Sequence, residues 1–276
     1  MACRRGSPIF CAPRSCRGSK ARTRRRPCRL SSWATLHHRK GATGPFVSRA
    51  LRSAIRLAVR AAARPPTRKS KQAVTADVFE KLLATCMSDR LVDARDAALL
   101  LVAFASGGRR RSEASGLRVE QLVEEPPVPS DPADPNPPAL PCLTIALSRT
   151  KTGQADENRR VLLVGCPVDA LNEWLLRADI GKGPIFRAFD RWGGLKDRAL
   201  TPQAVNLILK RRVALAGLDP KGSSAHGLCA GYLTEAARRG VALPEAMQQS
   251  QHRSDQQAAS YYNDAERHLG KAARLV

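Results

Sequence analysis

Acidic residues are missing from the start of the chain. No aspartate or glutamate precedes Asp77, while residues 1–71 hold 20 lysines and arginines. The remaining 205 residues carry 27 basic and 24 acidic side chains, a net of only +3. So one-sided a segment points to a polyanion, nucleic acid being the commonest; the plainer alternative is a solvated basic tail. Aromatic residues are scarce, 4% of the sequence, and no aromatic-rich RNA-binding motif appears. The eight cysteines contain no C-x-x-C pair, which removes the usual zinc and redox spacings. Cys3, Cys11, Cys16 and Cys28 are irregularly spaced among arginines, and the other four stand singly, as suits a reducing cytoplasm. No early apolar run has the length of a signal peptide or a transmembrane helix. The basic composition alone leaves a mitochondrial leader open, although nothing later in the chain calls for one. No carboxylate cluster offers to hold a divalent metal, and no cofactor is expected.

What is present divides the chain into four stretches. Residues 1–27 show neither helical nor strand period and read as a basic, disordered segment run through from an upstream region. Residues 28–63 carry helical pattern, from Leu30 to His38 and from Ser48 to Ala63. In the second, Leu51, Ile55, Leu57, Ala58 and Val59 form the apolar side. Arg52, Arg56 and Arg60 recur every four residues, a stripe suited to a phosphate backbone or to solvent. Residues 64–73, with Pro65-Pro66 followed by basic residues, read as a linker.

Residues 74–276 form the larger unit. Thr75 caps a helix with Val78, Phe79, Leu82, Leu83 and Cys86 on its apolar face. A buried helix runs from Arg95 to Ala105. Residues 124–141, rich in proline and aspartate, read as an irregular surface loop and not a strand. Strands are expected at Cys142 to Leu147 and Val161 to Val164, and a helix from Val168 to Ala178. Thr201-Pro202 opens another helix, in which Lys210, Arg211 and Arg212 are exposed or face DNA. The sum is a mainly α chain with a small antiparallel β-sheet, an α+β fold.

The stretch from Ala225 to Tyr262 carries the chemistry. Its first helix stops at Gly240, its second opens at Leu243-Pro244-Glu245, and its third follows Ser254. His226, His252 and Tyr261 are separated by 26 and 9 residues. Imidazoles can relay protons, and a phenol can attack phosphorus.

This pattern resembles the C-terminal box of the tyrosine recombinases, the phage-integrase family. Gly108-Arg109-Arg110-Arg111-Ser112-Glu113 is similar to that family's Gly-x-Arg-x-Ser-Glu motif, with Arg110 as the phosphate ligand. The resemblance implies that Tyr261 is the nucleophile, forming a 3′-phosphotyrosyl link. It implies that His226 assists deprotonation, His252 donates to a non-bridging oxygen, and Lys151, in the β-hairpin, protonates the leaving 5′ oxygen. Tyr262 is then a packing neighbour. The implied partner is double-stranded DNA, with a homotetramer assembled on it in a bacterial cytoplasm and no membrane. Residues 28–63 are similar to the last part of the family's DNA clamp, shortened here. Arg52, Arg56, Arg60, Arg109 and Arg111 are the candidate DNA contacts.

One position departs. The family's His-x-x-Arg reads His226-Gly-Leu-Cys229. A mostly neutral thiol cannot grip phosphate as a guanidinium does. The expectation is a recombinase weakened or inactivated at Cys229; the alternative is a non-catalytic DNA-binding remnant of an integrase.

Overall fold

The computed structural model describes residues 25–42, 48–61, 73–131, 134, 136–147, 160–252 and 255–266, which fall into two units, one ending at Thr67 and the other beginning at Arg68. In the first unit, α1 spans Arg25–Arg39 and α2 spans Arg49–Ala61. Leu51 and Ile55, four residues apart, are half-buried, and Arg52, Arg56 and Arg60 are exposed. Leu57 departs from the expected apolar side: it is 62% exposed. Two residues beyond Ile55 it has rotated about 200° around the helix. The linker expected at 64–73 lies outside the described residues except for Ala73.

The second unit opens with Val74. Its N–H donates to Gly227 O at 2.9 Å, and it is 1% exposed. A Cβ at Gly231 would sit 1.8 Å from Val74 O, so only glycine admits this approach. Then follow α3 (Ala76–Ala84), α4 (Leu91–Ala105) and the short α5 (Arg111–Ser115). Strands β1 (Leu122–Pro129), β2 (Ala139–Ala146) and β3 (Arg160–Val164) form an antiparallel sheet in the order β1-β2-β3. α6 spans Cys166–Arg177 and packs on α4 and on this sheet, with Trp174 fully buried and its indole N–H on Ile185 O at 2.9 Å. A two-stranded hairpin follows, β4 (Arg187–Phe189) and β5 (Leu195–Ala199). α7 (Pro202–Leu215), α8 (His226–Arg238), α9 (Leu243–Ser250) and α10 (Asp255–Glu266) complete the unit.

The α-rich architecture, small antiparallel sheet and C-terminal helices agree with the sequence reading. Thr201 caps α7 by accepting from Ala204 N at 3.1 Å, and Gly240, at φ +73°, ends α8. Thr75 precedes α3 but gives its hydroxyl to Asp77 instead of accepting from the helix.

Two expectations are corrected. Residues 124–141 are not simply a loop: β1 occupies 122–129, and β2 begins at Ala139. Pro126 and Pro127 fall where the pairing slips, between Glu125 and Val128, on an edge strand. Proline is tolerated there because no ladder bond is lost. Arg212 is neither exposed nor DNA-facing; it is 1% exposed. Its guanidinium donates to Asp96 Oδ2 at 2.9 and 2.6 Å, to Thr85 O at 2.6 Å, and to Asp93. Arg95 grips the other oxygen of Asp96 at 3.0 and 2.6 Å. Burial alone would raise the Asp93 carboxyl; hydrogen bonds from Ser88 and Arg212 outweigh it and hold the carboxyl below its usual range. This cluster joins α4 to α7 through charge.

Candidate active site

The site is assembled where the loop after α4 wedges against α8 and the end of α9. Gly107 and Gly108 have φ of +86° and +71°. A Cβ on Gly107 would lie 2.2 Å from Ser250 Cα, and one on Gly108 2.2 Å from Cys229 Cα. Glycine is required twice, for backbone conformation and for space.

That turn separates the three arginines. Arg109 points inward at 4% exposure, and its guanidinium donates to Ser106 O and Gln249 O, both at 2.9 Å, and pairs with Glu113 at 3.5 Å. The sequence reading placed Arg109 among DNA contacts; the structure makes it an internal tie, because its donors are directed into the protein. Arg110 precedes α5 in extended backbone and is exposed. Arg111 is also exposed, with Nη1 3.4 Å from Gln203 Oε1.

His226 and Cys229 begin α8, three residues apart and therefore on one face. His226 Nε2 lies 3.1 Å from the Tyr261 hydroxyl. The phenol is carried by α10, which Ala258 (0% exposed) and Tyr262 (4%) anchor. The Tyr262 hydroxyl donates to Val241 O at 3.2 Å, so the neighbouring tyrosine packs inward while Tyr261 reaches His226. His252 follows α9, after Gln251 in left-handed backbone at φ +57°. Its Nε2 faces Cys229 Sγ at 3.4 Å, and its Nδ1 meets Ser250 Oγ at 2.8 Å.

Burial pushes the Cys229 thiol up to about 11, with Arg110 and Arg109 pulling only partly against it. The thiol is neutral at physiological pH. Burial also lowers His252 below the ordinary histidine value, and Arg110, His226 and Arg109 act in the same direction. His252 is therefore neutral near pH 7.

The structure thus brings His226, Cys229, His252 and Tyr261 into two contacting pairs, with Arg109 and Arg110 electrostatically coupled to Cys229 and His252. Lys151 lies outside the described residues. The sequence reading missed Gln249, whose side-chain amide donates to Ala105 O at 2.8 Å and Leu162 O at 2.6 Å and so ties α9 to α4 and β3. It also missed Ser250. Nothing in the local pattern marks either residue. Among the described residues no three His, Cys, Asp or Glu side chains converge on a metal-sized site.

The site sets a phenol against one imidazole, with a second imidazole and an arginine leading a short helix within electrostatic reach. Residues 72–268 match the phage integrase family, and the chain belongs to it. It is 30% identical over 192 residues to the integrase/recombinase xerD homolog of Selenomonas ruminantium, an alignment covering 67% of this chain and 50% of that protein. Among solved structures it is similar to the XerH site-specific recombinase bound to a palindromic difH substrate in a post-cleavage complex. That match has a TM-score of 0.56 and 22% identity over 75% of this chain and 54% of the other. It is also similar to the Tn1549 transposon integrase in complex with circular intermediate DNA, at TM-score 0.52 and 17% identity, covering 87% of this chain and 84% of that one. The two structures speak for the fold. The chain spans about half the length of the xerD homolog and of the XerH chain.

Proposed function

We propose that the chain binds double-stranded DNA and retains the apparatus of strand breakage and rejoining through a 3′-phosphotyrosyl intermediate, weakened at its chemical step by Cys229. The observation that carries this reading is the 3.1 Å contact between His226 Nε2 and the Tyr261 hydroxyl. Tyrosine has a reference pKa of about 10, so it needs a base to attack near neutral pH. In the proposed step His226 takes the phenolic proton and the phenolate oxygen bonds to phosphorus. The bond from phosphorus to the 5′ oxygen breaks, and Lys151 supplies that oxygen's proton. Arg110 and His252 face the non-bridging oxygens, where negative charge grows. No cofactor or metal enters the step. Arg52, Arg56, Arg60 and Arg111, all exposed, track the backbone of the duplex, and the working assembly is a homotetramer on DNA in a bacterial cytoplasm. No helix among the described residues is long and apolar enough to cross a membrane.

The test uses a duplex selected from a randomised pool by binding to the full chain, then nicked near its centre so that a cleaved end escapes. A covalent adduct mapped by mass spectrometry to Tyr261, and abolished by Tyr261→Phe, supports the reading. Binding without adduct under all conditions selects the second reading, a non-catalytic DNA-binding remnant. The feature favouring that second reading is the neutral, buried thiol at 229.

A further inference from the structure

The donors and acceptors around His252 can be counted. Ser250 Oγ is positioned to donate to Met247 O at 3.5 Å and lies 2.8 Å from His252 Nδ1. Cys229 Sγ lies 3.4 Å from His252 Nε2, its hydrogen-bond partner among the described residues. Two arrangements fit. In one, Ser250 donates to Nδ1 and Nε2–H points at sulfur; the thiol proton then has no acceptor among the described residues, and Met247 O keeps only the backbone N–H groups of Gln251 and His252. In the other, Nδ1–H donates to Ser250 Oγ, the hydroxyl donates to Met247 O, and the Cys229 S–H donates to Nε2. The second uses every proton, and the burial of the Cys229 thiol favours the arrangement that gives it an acceptor.

From this we infer that Ser250 is a positioning residue that locks His252 as the Nδ1–H tautomer, with Nε2 turned into an acceptor for the Cys229 thiol. The other nitrogen's partner sets which ring nitrogen carries the proton. A neutral His252 held this way has no proton to offer a non-bridging oxygen. Two donors are therefore missing at this site, the guanidinium that Cys229 replaces and the imidazole N–H that Ser250 turns away. Only protonation of the ring restores the second, and the groups facing it set how readily that occurs. Those are Cys229 and His226 from α8, Arg109, Arg110 and Glu113 from the loop and α5; the two arginines resist protonation, and Glu113 favours it.

The tautomer can be read without DNA; its consequence for phosphate chemistry rests on the strand-cleavage reading above. In the full chain labelled with 15N-histidine, two-bond 1H–15N correlation at pH 8 should show His252 with a protonated Nδ1 and an unprotonated Nε2. Ser250→Ala should transfer the proton to Nε2, and Ser250→Thr should keep it on Nδ1. A wild-type spectrum with Nε2 protonated, or an unchanged tautomer in Ser250→Ala, overturns the proposal.

The chemical readout uses Cys229→Arg, in which the histidine is the remaining defect. Adduct formation should rise as pH falls through the His252 titration. Adding Ser250→Ala should flatten this profile and raise the rate at pH 8 by about tenfold, the ratio one hydrogen bond can impose on a tautomer equilibrium. Ser250→Thr in the same background should restore the acid dependence. Coincident pH profiles with and without the Ser250→Ala change overturn the proposal. If no variant forms adduct while the spectra show the expected tautomers, the strand-cleavage reading fails and the lock stands.

Discussion

Cysteine at 229 lies within electrostatic reach of Arg110, Arg109 and Glu113. Arg110 is exposed and coupled to it, yet the thiol is neutral because it is buried. Cys229→Arg should raise phosphotyrosyl adduct formation by about 10²–10³-fold, the range for one preorganised donor at a developing oxyanion. The check is a comparison of wild type, Cys229→Arg, and Cys229→Arg with Tyr261→Phe on the nicked duplex. Adduct that survives in the last would move the nucleophile away from Tyr261. His252 has a consequence for stability as well. Its folded pKa lies below the ordinary value of 6.5, so the unfolded chain binds this proton first. Its contribution is present above about pH 6.5 and is lost as pH falls through the depressed folded value. Urea unfolding between pH 7 and pH 5 should show a shallower loss of stability in His252→Gln than in wild type. Parallel curves would count against the depressed titration.

Between elements, the closest coupling is the charge cluster joining α4 and α7. Removing one partner leaves buried carboxylates with unmet hydrogen bonds. Arg212→Met should therefore destabilise the protein by about 3–5 kcal/mol by urea unfolding, although methionine fits an apolar interior. A loss below about 1 kcal/mol would mean that Arg95 and Ser88 suffice for Asp96 and Asp93. The same cluster shows where sequence reading reaches its limit. Proline, glycine and threonine announced the ends of α7, α8 and α9, because those signals act within a few residues. Arg212 reads as exposed or DNA-facing because the two aspartates that bury it are 119 and 116 positions away. Arg109 and Arg110 were indistinguishable by type; the positive φ of Gly107 and Gly108 decides which of them turns inward. β1 was hidden by its two prolines, and β4 and β5, Arg187–Phe189 and Leu195–Ala199, contain no β-branched residue. The spacing singles out His226, His252 and Tyr261, whereas Ser250 and Gln249 make their contacts only with neighbours the fold supplies.

Across the whole molecule, charge and chemistry occupy different parts of the sequence. Residues 1–71 carry +20 and the remainder +3. DNA affinity of the full chain should exceed that of a 72–276 fragment and fall far more steeply between ~50 and ~200 mM salt, because each neutralised phosphate releases counterions. The fragment retains Val74, which belongs to the packing of α8. Equal affinities and equal salt slopes in a gel shift would place the DNA contacts in the larger unit alone. Finally, consider the two margins of the β1-β2-β3 sheet. On one margin, Pro126 and Pro127 remove two amide donors at the slip in register. On the other, Gln249 occupies the Leu162 carbonyl. An open margin is a template on which a foreign strand can add, and from which fibrils grow. With both margins of this sheet blunted, a concentrated solution of the protein has little means of zipping copies together along it.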